Sequence, residues 1–449
     1  MVSRLTESSA YRHGWSTLEA EAILSDEARL ASWVRILSVL AQEQAALGLV
    51  PESAASDIAA IDPSALDVEA IAAGSRETSH STLGLIRALQ AALPESSREY
   101  VYFGITVQDV TDTWFGLVMR DIGSVILSDL VRCRDSCVEL AAVHRDTVMA
   151  GRTHGQVGSP ITFGLKAATW ADELDRQVQR IGEGMTRWSV GQLAGATGAM
   201  GFFDGQGREL RSALCARLGL GDAGISWTST RDRIAEFGTT MAAVCGTLAR
   251  IGNEVYELQR TEIGELREAR SQTTVGSITM PHKRNPERSE HLDTLARVCR
   301  AAAGVLLEAQ VAVHERDGRA WKSEWFALPE VALVTATSAQ QGAALLSALE
   351  VDTEAMLRNF MADGTWASQQ ILVGLAARLG KHRAQALMQE TLAGMGSKGA
   401  DELAEAVAVA AGLDIGEVSA WMRSPDIREA VTMVDDTISR LTGGPGGRP

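Results

Sequence analysis

The chain has 449 residues, 45% of them hydrophobic. This length is greater than a single hydrophobic core usually supports, so we predict two or three domains. Its net charge of −15 argues against a nucleic-acid partner or an anionic membrane surface, but permits a local basic pocket for an acidic substrate. The five cysteines are scattered and odd in number, which fits a reducing cytoplasm better than a disulfide framework. The N-terminus lacks the apolar core of a signal peptide, and no apolar run is long enough to predict a membrane span.

Apolar residues at steps of three and four predict helices along most of the chain. The first helix runs from about Leu24 to Leu49 and ends at Pro51, and a shorter helical segment continues to Leu93. Residues 102–113, rich in Gly, Thr and Asp, mark a domain boundary. Four long helical patterns follow, at residues 118–144, 163–181, 234–258 and 292–309.

These patterns predict an all-α protein whose centre is a bundle of long helices, because no strand-type alternation of comparable extent competes with them. Beyond Val351 the helices shorten, and Gly394, Gly396 and Gly399 interrupt them. The tail from Gly443 consists mostly of glycine and proline, which cannot pack. We predict an N-terminal helical domain (1–109), the central bundle (110–350) and a small C-terminal helical domain with a disordered tail (351–449).

The most informative stretch is residues 276–286, GSITMPHKRNP, which has no apolar period and lies between two long helical patterns. Gly276 permits a backbone conformation that other residue types rarely adopt, and two prolines stiffen the segment. Ser277 is a possible nucleophile or base, while Lys283 and Asn285 are possible stabilisers of an anion. Proton abstraction beside a carboxylate creates a dianionic aci-carboxylate, and a site for that reaction needs this set of groups.

This stretch resembles the signature loop of the fumarase/aspartase superfamily, GSSxMPxKxNP, except that Ile278 replaces the second serine. The resemblance extends from about residue 24 to residue 413 and implies a three-domain all-α fold. It implies that Ser277 is the catalytic base. It also implies that Lys283 and Asn285 stabilise the carboxylate being activated and that Met280 contacts the substrate. We define the signature loop as residues 271–288.

A second motif, Thr153-His154-Gly155-Gln156, is similar to the superfamily's THxQ segment and lies where one long helical pattern ends and the next begins. Near neutral pH an imidazole can give a proton to a departing nitrogen or oxygen, so His154 is the predicted acid. The resemblance makes Thr153 and Gln156 substrate contacts. The alternative is a structural histidine whose imidazole hydrogen-bonds the backbone at a helix start.

Residues 106–109, TVQD, resemble the superfamily's TSxD segment, whose serine contacts a substrate carboxylate. Val107 replaces that serine, so this contact is lost. Thr106 and Gln108 remain as predicted substrate contacts. The replacement leaves the reaction class unchanged but alters the shape of the accepted acid.

Two other segments contribute predicted substrate contacts. Thr78 and His80 resemble the T-x-H of adenylosuccinate lyases, which implies that His80 binds substrate; a structural histidine is the alternative. In the superfamily an arginine before the helix at 234–258 helps to bind substrate, and we assign this role to Arg233. The alternative is that the arginine only forms a salt bridge at the start of the helix. Residues 314–317, HERD, form another charge cluster, for which a solvated turn is the competing interpretation.

The resemblance is divided between two branches of the superfamily. Residues 23–51, TRDRIAEF and HERDGRAWKSEWFALPE are most similar to bacterial 3-carboxy-cis,cis-muconate cycloisomerases, whereas His154 and His80 are shared with adenylosuccinate lyases. The segment that holds the nucleotide phosphate in adenylosuccinate lyases is replaced by residues 318–326, with two tryptophans. We therefore predict β-elimination with C–N cleavage from a small succinyl compound, such as an N-substituted aspartate, hydrazinosuccinate or nitrosuccinate, to release fumarate. The alternatives are a cycloisomerase, an adenylosuccinate lyase and an inert structural homologue.

The resemblance also implies an assembly, a homotetramer in which each site is lined by segments from three subunits. The motifs are far apart in the sequence, and none alone can enclose a substrate. We expect a small polycarboxylate substrate, no nucleic-acid or membrane partner, and a cytoplasmic location. No cofactor or metal is expected, since no group of His, Cys or carboxylate residues has ligand spacing.

Overall fold

In this computed structural model the described residues are 4–270, 277–362, 364–395, 399–422 and 425–443. Three predicted features lie outside them: Gly276 with the first part of the signature loop, Gly396, and the tail beyond Gly443. Within the described residues the chain is mainly α-helical, which confirms the predicted fold class. Short 3-10 turns lie at Leu5–Glu7, Arg12–Gly14, Pro63–Ala65, Arg98–Tyr100, Gly201–Phe203 and Gly364–Ala367.

The N-terminal helices begin at side chains that cap the first free backbone N–H groups. Thr17, Ser25 and Asp67 each accept a hydrogen bond from the N–H group three residues later, the usual start of a helix. Leu30, Val34 and related apolar side chains then form one core between these helices. The helices are α1 (Leu18–Leu24), α2 (Asp26–Ala46), α3 (Glu52–Ala59), α4 (Val68–Thr78) and α5 (Leu83–Ala92).

The described residues contain five long helices, of which the first four follow the predicted apolar periodicity and the last was not predicted. They are α6 (Val107–Val143), α7 (Phe163–Trp188), α9 (Asp232–Leu258), α10 (Glu287–Glu308) and α11 (Gly318–Leu346), with the shorter α8 (Gly207–Leu218) between α7 and α9. On α6 the fully buried residues recur at steps of three and four, at Ile122, Ile126, Leu130, Cys133 and Cys137. This stripe places both cysteines on one buried helix face.

The C-terminal part consists of shorter helices around a second apolar core, which includes Ile371, Leu375 and Val407. Val434 of the last helix packs against Ala141, Ala167 and Ala168. These helices are α12 (Thr353–Met361), α13 (Ser368–Leu379), α14 (Lys381–Ala393), α15 (Ala400–Ala411), α16 (Ile415–Trp421) and α17 (Arg428–Thr442).

Strands are few and short in the described residues. The longest pair, β1 (Val148–Thr153) and β2 (Gln156–Thr162), forms an antiparallel hairpin in which Thr153 pairs with Gln156. The other strands have two residues each: β3 (Val190–Gly191) is parallel to β4 (Gly221–Asp222), and β5 (Leu266–Arg267) is antiparallel to β6 (Glu350–Val351). The THGQ motif lies between the long helices α6 and α7, as predicted, and it forms the tip of this hairpin.

The chain divides into two compact units. Unit 1 comprises residues 1–130, 176–250 and 291–342, and unit 2 comprises residues 131–175, 251–290 and 343–449. The three domain boundaries predicted from the sequence stay a prediction. No helix in the described part of the chain combines the length and apolar character that crossing a bilayer requires.

Unit 1 contains a buried ionic network between three of the long helices. The guanidinium of Arg231 donates to both carboxylate oxygens of Asp112, at 2.8 and 3.0 Å, and to Glu324 at 2.8 Å. All three side chains are buried. Burial opposes the charged form of Arg231, but Asp112 and Glu324 outweigh it and raise the pKa of Arg231. Because removal of one partner would leave an uncompensated buried charge, this network holds α6 to α11 and to the start of α9.

Candidate active site

The described part of the signature loop is an exposed turn built around Ser277. The Oγ atom of Ser277 accepts a hydrogen bond from the backbone N–H of Met280 at 3.0 Å, and the N–H of Lys283 donates to the carbonyl of Met280 at 2.9 Å. A donor aimed at the serine oxygen favours the alkoxide over the neutral hydroxyl. Lys283 is exposed and forms no ion pair with any described residue, and the Ile278 side chain is 94% exposed.

Polar contacts from unit 2 hold the end of the signature loop. The carboxylate of Glu268 accepts from the N–H of Ser289 at 2.8 Å and from its hydroxyl at 2.7 Å, at the start of α10. Arg270 donates to the carbonyl of Lys283 at 2.8 Å, and Gln259 donates to the carbonyl of Arg284 at 3.1 Å. The backbone at residues 283–289 is therefore held by its neighbours, while the side chains of Met280 and Lys283 stay exposed.

His154 lies at the tip of the β1–β2 hairpin, where a two-residue turn reverses the chain. Its φ is +52° and that of Gly155 is +74°, the pair of positive values that a type I′ hairpin turn requires. Histidine is one of the few residue types enriched at positive φ, and glycine adopts it without strain. Thr153, His154 and Gln156 are all exposed, so the turn presents its polar side chains to solvent.

A largely buried ion pair connects β1, next to the tip of the hairpin, to the segment that precedes the signature loop. Arg152 of β1 binds Glu265 through two N–H groups, one of them 2.9 Å from Oε2. Glu265 is completely buried and also accepts from Asn359 at 2.8 Å. Glu265 lies three residues before Glu268, which holds the start of α10. The hairpin that carries the predicted acid and the loop that carries the predicted base are therefore both attached to residues 265–268 of unit 2.

The TVQD motif in unit 1 begins α6 and is organised by Asp109. This buried carboxylate accepts hydrogen bonds from the backbone N–H groups of Thr106 at 2.9 Å, Ala194 at 2.7 Å and Gly195 at 3.1 Å. Burial raises the pKa of Asp109 to about 7, although the three hydrogen bonds lower it and nearby Asp112 raises it further. Asp109 thus joins the residues around Gly195 to the start of α6.

Arg316, which sequence reasoning left as part of a charge cluster, lies beside this motif. Its Nη1 group donates to Thr106 Oγ1 at 3.0 Å, and Nη2 approaches the carbonyl of Gly195 at 3.4 Å. The Nε group is buried without a hydrogen-bond partner among the described residues. A cation with an unused donor next to a predicted carboxylate contact is suited to binding an anion. The only signal in the sequence was the HERD cluster itself.

His80 lies between α4 and α5, directly after Ser79, whose positive φ ends α4. Its Nδ1 atom accepts from the N–H of Thr82 at 3.4 Å, and the hydroxyl of Thr82 is 3.4 Å from that of Tyr102. Burial raises the pKa of Tyr102, a change that Thr82 opposes, while Asp109 and Arg316 act on it through their charges. These contacts place His80 and the TVQD motif on one connected set of residues in unit 1.

Two of the predicted substrate contacts, Gln108 and Arg233, lie against other residues of unit 1. Gln108 is completely buried, and its amide donates to Asp112 at 3.0 Å and to the carbonyl of Thr228 at 2.8 Å. These bonds hold the amide nitrogen of Gln108, while its Oε1 atom has no partner among the described residues, and its contact with substrate stays a prediction. Arg233 is half-buried, with its guanidinium 5.9 Å from the ring of Trp227, while Arg231 is the residue engaged in the buried network.

The predicted residues therefore form two groups. Unit 2 contains the proton-transfer candidates and the groups of the signature loop: Ser277, Met280, Lys283, Asn285, Thr153, His154 and Gln156. Unit 1 contains candidate carboxylate contacts: Thr106, His80, Arg233 and, in addition, Arg316. Asn285 donates to Glu287 at 3.2 Å at the start of α10. No hydrogen bond in the described residues joins His154 to Ser277.

Comparison with known proteins adds three findings. Residues 6–302 match the sequence profile of a family described as lyase. The chain is 36% identical over 392 residues to N-acetyl-S-(2-succino)cysteine lyase of Dickeya dadantii (87% of this chain, 86% of the relative) and 34% identical over 447 residues to nitrosuccinate lyase of Streptomyces davaonensis (95% and 92%). The crystal structure of 3-carboxy-cis,cis-muconate lactonizing enzyme from Pseudomonas putida superimposes with a TM-score of 0.87 at 29% identity, covering 96% of this chain and 98% of that one.

Proposed function

The chain belongs to the fumarase/aspartase superfamily of lyases, and we propose that it catalyses β-elimination from a small 2-substituted succinate, releasing fumarate by cleavage of a carbon–nitrogen bond. The observation that carries this proposal is the setting of Ser277, whose oxygen accepts a backbone N–H in an exposed turn that also carries Lys283. Such a serine can work as a base because its alkoxide is stabilised by a fixed donor.

In the proposed reaction the Ser277 oxygen removes the proton from the carbon next to one carboxylate. The electron pair of that C–H bond forms the C=C bond of fumarate, and the C–N bond to the neighbouring carbon breaks. The nitrogen leaves with the bonding pair and accepts a proton from His154. Lys283 and Asn285 stabilise the aci-carboxylate, in which negative charge accumulates before the C–N bond breaks.

The second carboxylate of the substrate is assigned to the group around Thr106. Arg316 supports this assignment because its guanidinium contacts Thr106 and retains an unused buried donor. His80 lies on the same connected set of residues. Thr153, Gln156, Met280 and Arg233 remain proposed contacts, which line the substrate rather than transfer protons.

A second candidate is cleavage of a carbon–sulfur bond. It is favoured by the relative named N-acetyl-S-(2-succino)cysteine lyase, which is 36% identical and whose name describes a succino group on sulfur. The chemistry at Ser277 would be the same, since only the departing atom changes. The nitrosuccinate lyase, at 34% identity over 95% of this chain, supports the nitrogen assignment. Cycloisomerisation of 3-carboxymuconate and cleavage of adenylosuccinate are the remaining alternatives.

We further propose that the active protein is a homotetramer in which one copy contributes its unit 1 contacts and other copies contribute their unit 2 loops. In the isolated chain residues 278–284 of the signature loop and the hairpin tip are exposed, and Ile278 is almost entirely exposed. An apolar side chain in that position is stabilised when another surface covers it.

The test is a panel of purified compounds followed by ultraviolet absorbance and chromatographic identification of fumarate. The panel comprises nitrosuccinate, hydrazinosuccinate, N-substituted aspartates, S-(2-succino)cysteine derivatives, adenylosuccinate and 3-carboxy-cis,cis-muconate. We expect fumarate from at least one nitrogen-substituted succinate. Fumarate only from the sulfur compounds would favour the second candidate. A carboxymuconolactone as the only product, formed from 3-carboxymuconate, would contradict elimination altogether.

A further inference from the structure

Unit 1 contains a cavity of about 490 Å³ that the proposed reaction does not yet use. It lies between α2, α4, α6 and α11, and its volume is within the range of about 300–1,000 Å³ typical of small-molecule sites. We call it the aromatic cavity, because Trp33, Trp114, Phe115 and Trp325 contribute to its wall. A succinate fragment alone would leave most of this volume empty.

The wall is predominantly apolar and is made rigid by ring contacts. Trp33 and Trp114 meet edge to face with centroids 6.3 Å apart, and Trp114 stacks on Phe115 at 5.1 Å. Aliphatic side chains such as Leu30 and Ile71 complete the wall. Surfaces of this kind bind planar or aliphatic groups by excluding water from both partners.

Charged side chains also line the cavity, and both of its arginines pair with a carboxylate. Arg76 lies 3.5 Å from Glu69, and Arg29 donates to Asp26 at 2.7 Å. The guanidinium of Arg29 also lies 5.8 and 5.9 Å from the rings of two tryptophans of the wall. A guanidinium has five N–H donors, so Arg29 retains donors for a carboxylate. A cationic ligand could not use these donors.

The aromatic cavity adjoins the unit 1 part of the proposed active site. Ser81, in its wall, follows His80 directly. Thr111, also in the wall, donates to the carbonyl of Val107 at 3.2 Å, which places it one helical turn, about 6 Å, from the TVQD motif. In α11 the ring of Pro329 removes the N–H group that would bond the carbonyl of Trp325, so the wall also includes an acceptor without its helical donor.

We propose that the aromatic cavity binds the leaving group of the substrate, and that this group has an apolar or aromatic body and a carboxylate that pairs with Arg29. The inference rests on the proposed elimination and specifies its substrate: a succinate substituted with an amphipathic acid rather than with ammonia, nitrite or a nucleotide. The succinate part is held at the TVQD motif, and the body of the leaving group extends between the tryptophans.

The experiment combines binding and turnover in variants that fill or preserve the cavity. Ala72→Phe places a ring in the cavity wall, whereas Ala70→Phe makes the same change at an exposed position of the same helix and serves as the control. Calorimetry measures binding of 4-methylbenzoate and of the uncharged 4-methylbenzamide. Fumarate formation is then compared for aspartate, N-(4-carboxybenzyl)aspartate and N-(4-carbamoylbenzyl)aspartate.

We expect the wild type and Ala70→Phe to bind 4-methylbenzoate about tenfold or more tightly than the amide, because only the carboxylate pairs with Arg29. Ala72→Phe should lose this binding, and its kcat/KM for N-(4-carboxybenzyl)aspartate relative to that of Ala70→Phe should fall about tenfold or more. Arg29→Gln should remove the preference for carboxylate over amide in both assays, which provides a second variant if Ala72→Phe does not fold.

Equal binding of the two probes by the wild type, or undiminished binding by a folded Ala72→Phe variant, would overturn the cavity as a carboxylate site. Equal turnover of N-(4-carboxybenzyl)aspartate by Ala72→Phe and Ala70→Phe would overturn its assignment to the leaving group. Absence of fumarate from every compound, including those of the wider panel, would contradict the proposed elimination instead, and the calorimetry would still decide whether the cavity binds an aromatic acid.

Discussion

His154 combines a chemical and a conformational requirement at one position. It must supply a proton to the leaving group, and it must adopt a positive φ at the turn of the hairpin. Asparagine tolerates positive φ but cannot donate a proton in the same way. His154→Asn is therefore a substitution that separates the two requirements.

We predict that His154→Asn lowers kcat for an amine leaving group by about 10²-fold or more, the usual contribution of a general acid. A leaving group that departs as a stable anion, such as nitrite, should be affected much less. Steady-state rates with both kinds of substrate check this. His314→Asn is the control, because His314 is also exposed and has a positive φ of 56°. An equal loss with both leaving groups would contradict the role of His154 as acid.

Asp109 leads to a prediction about pH. Its pKa is raised to about 7 in the folded protein, above the value of about 3.9 expected when unfolded. Between these values the folded state binds more protons, so the stability contributed by this group falls as pH rises from about 4 to 7, by up to about 1.4 kcal/mol per pH unit.

We therefore expect the stability advantage of wild type over Asp109→Asn to shrink as pH rises from 4.5 to 7 and to level off above 7. Thermal unfolding midpoints of both proteins across this range provide the measurement. A difference that stays constant, or that grows with pH, would show that Asp109 is ionised throughout.

The sequence predicted candidate residues through their motifs and did not show their burial or their contacts. Ser277 and His154 were found because they lie in motifs, and the structure places both in exposed turns. Arg316 was missed because its significance depends on a contact with Thr106, 210 residues away. The burial of Gln108 was not predicted, because the motif does not show that its amide bonds to Asp112 and to the carbonyl of Thr228, 120 residues away.

Among the elements, the β1–β2 hairpin was not predicted, and the reason is physical. Its strands have only six and seven residues, and the register is interrupted between Ala150 and Arg152. A period of two cannot be recognised over so short and irregular a segment. Four long helices, α6, α7, α9 and α10, were predicted because a stripe of apolar residues repeats over many turns, as on α6, whereas α11 was not predicted.

The attachment of the hairpin and the signature loop to residues 265–268 can be tested by substituting Arg152. Arg152→Met removes one partner of the pair with Glu265, whose side chain is fully buried, and should destabilise the protein by about 3–5 kcal/mol. Activity should fall as well, since the hairpin and the loop lose their common anchor. Urea unfolding and initial rates provide the two readouts.

Arg145→Met is the matched control for Arg152→Met. Arg145 also pairs with a carboxylate, Asp435, but both side chains are substantially exposed. We expect little change in stability or rate, because exposed ion pairs are screened by water. Equal effects of the two substitutions would argue that the Arg152–Glu265 pair has no special role.

For the whole molecule, the proposal that sites are shared between copies predicts complementation. Arg316→Met inactivates a unit 1 contact, and Ser277→Ala inactivates a unit 2 loop. In randomly mixed tetramers each segment of a site is intact with probability one half, so about one quarter of the sites should be complete. Activity should return to about one quarter of wild type after the two inactive proteins are dissociated and reassembled together.

The control for this experiment is a mixture of Ser277→Ala with Lys283→Met. Both residues belong to the same loop, so no intact loop should form and no activity should return. Recovery in this control, or none in the first mixture, would contradict the shared site. Light scattering on the reassembled proteins establishes whether they are tetramers.

The central claim is that Ser277 removes a proton from a substituted succinate to release fumarate. The most direct measurement is fumarate formation by Ser277→Ala and by Thr279→Ala, an exposed residue of the same loop, with the compound that the wild type converts. We expect Thr279→Ala to retain activity and Ser277→Ala to lose about 10³-fold or more in kcat while it still binds the substrate. Fumarate formation at the wild-type rate by Ser277→Ala would contradict the claim.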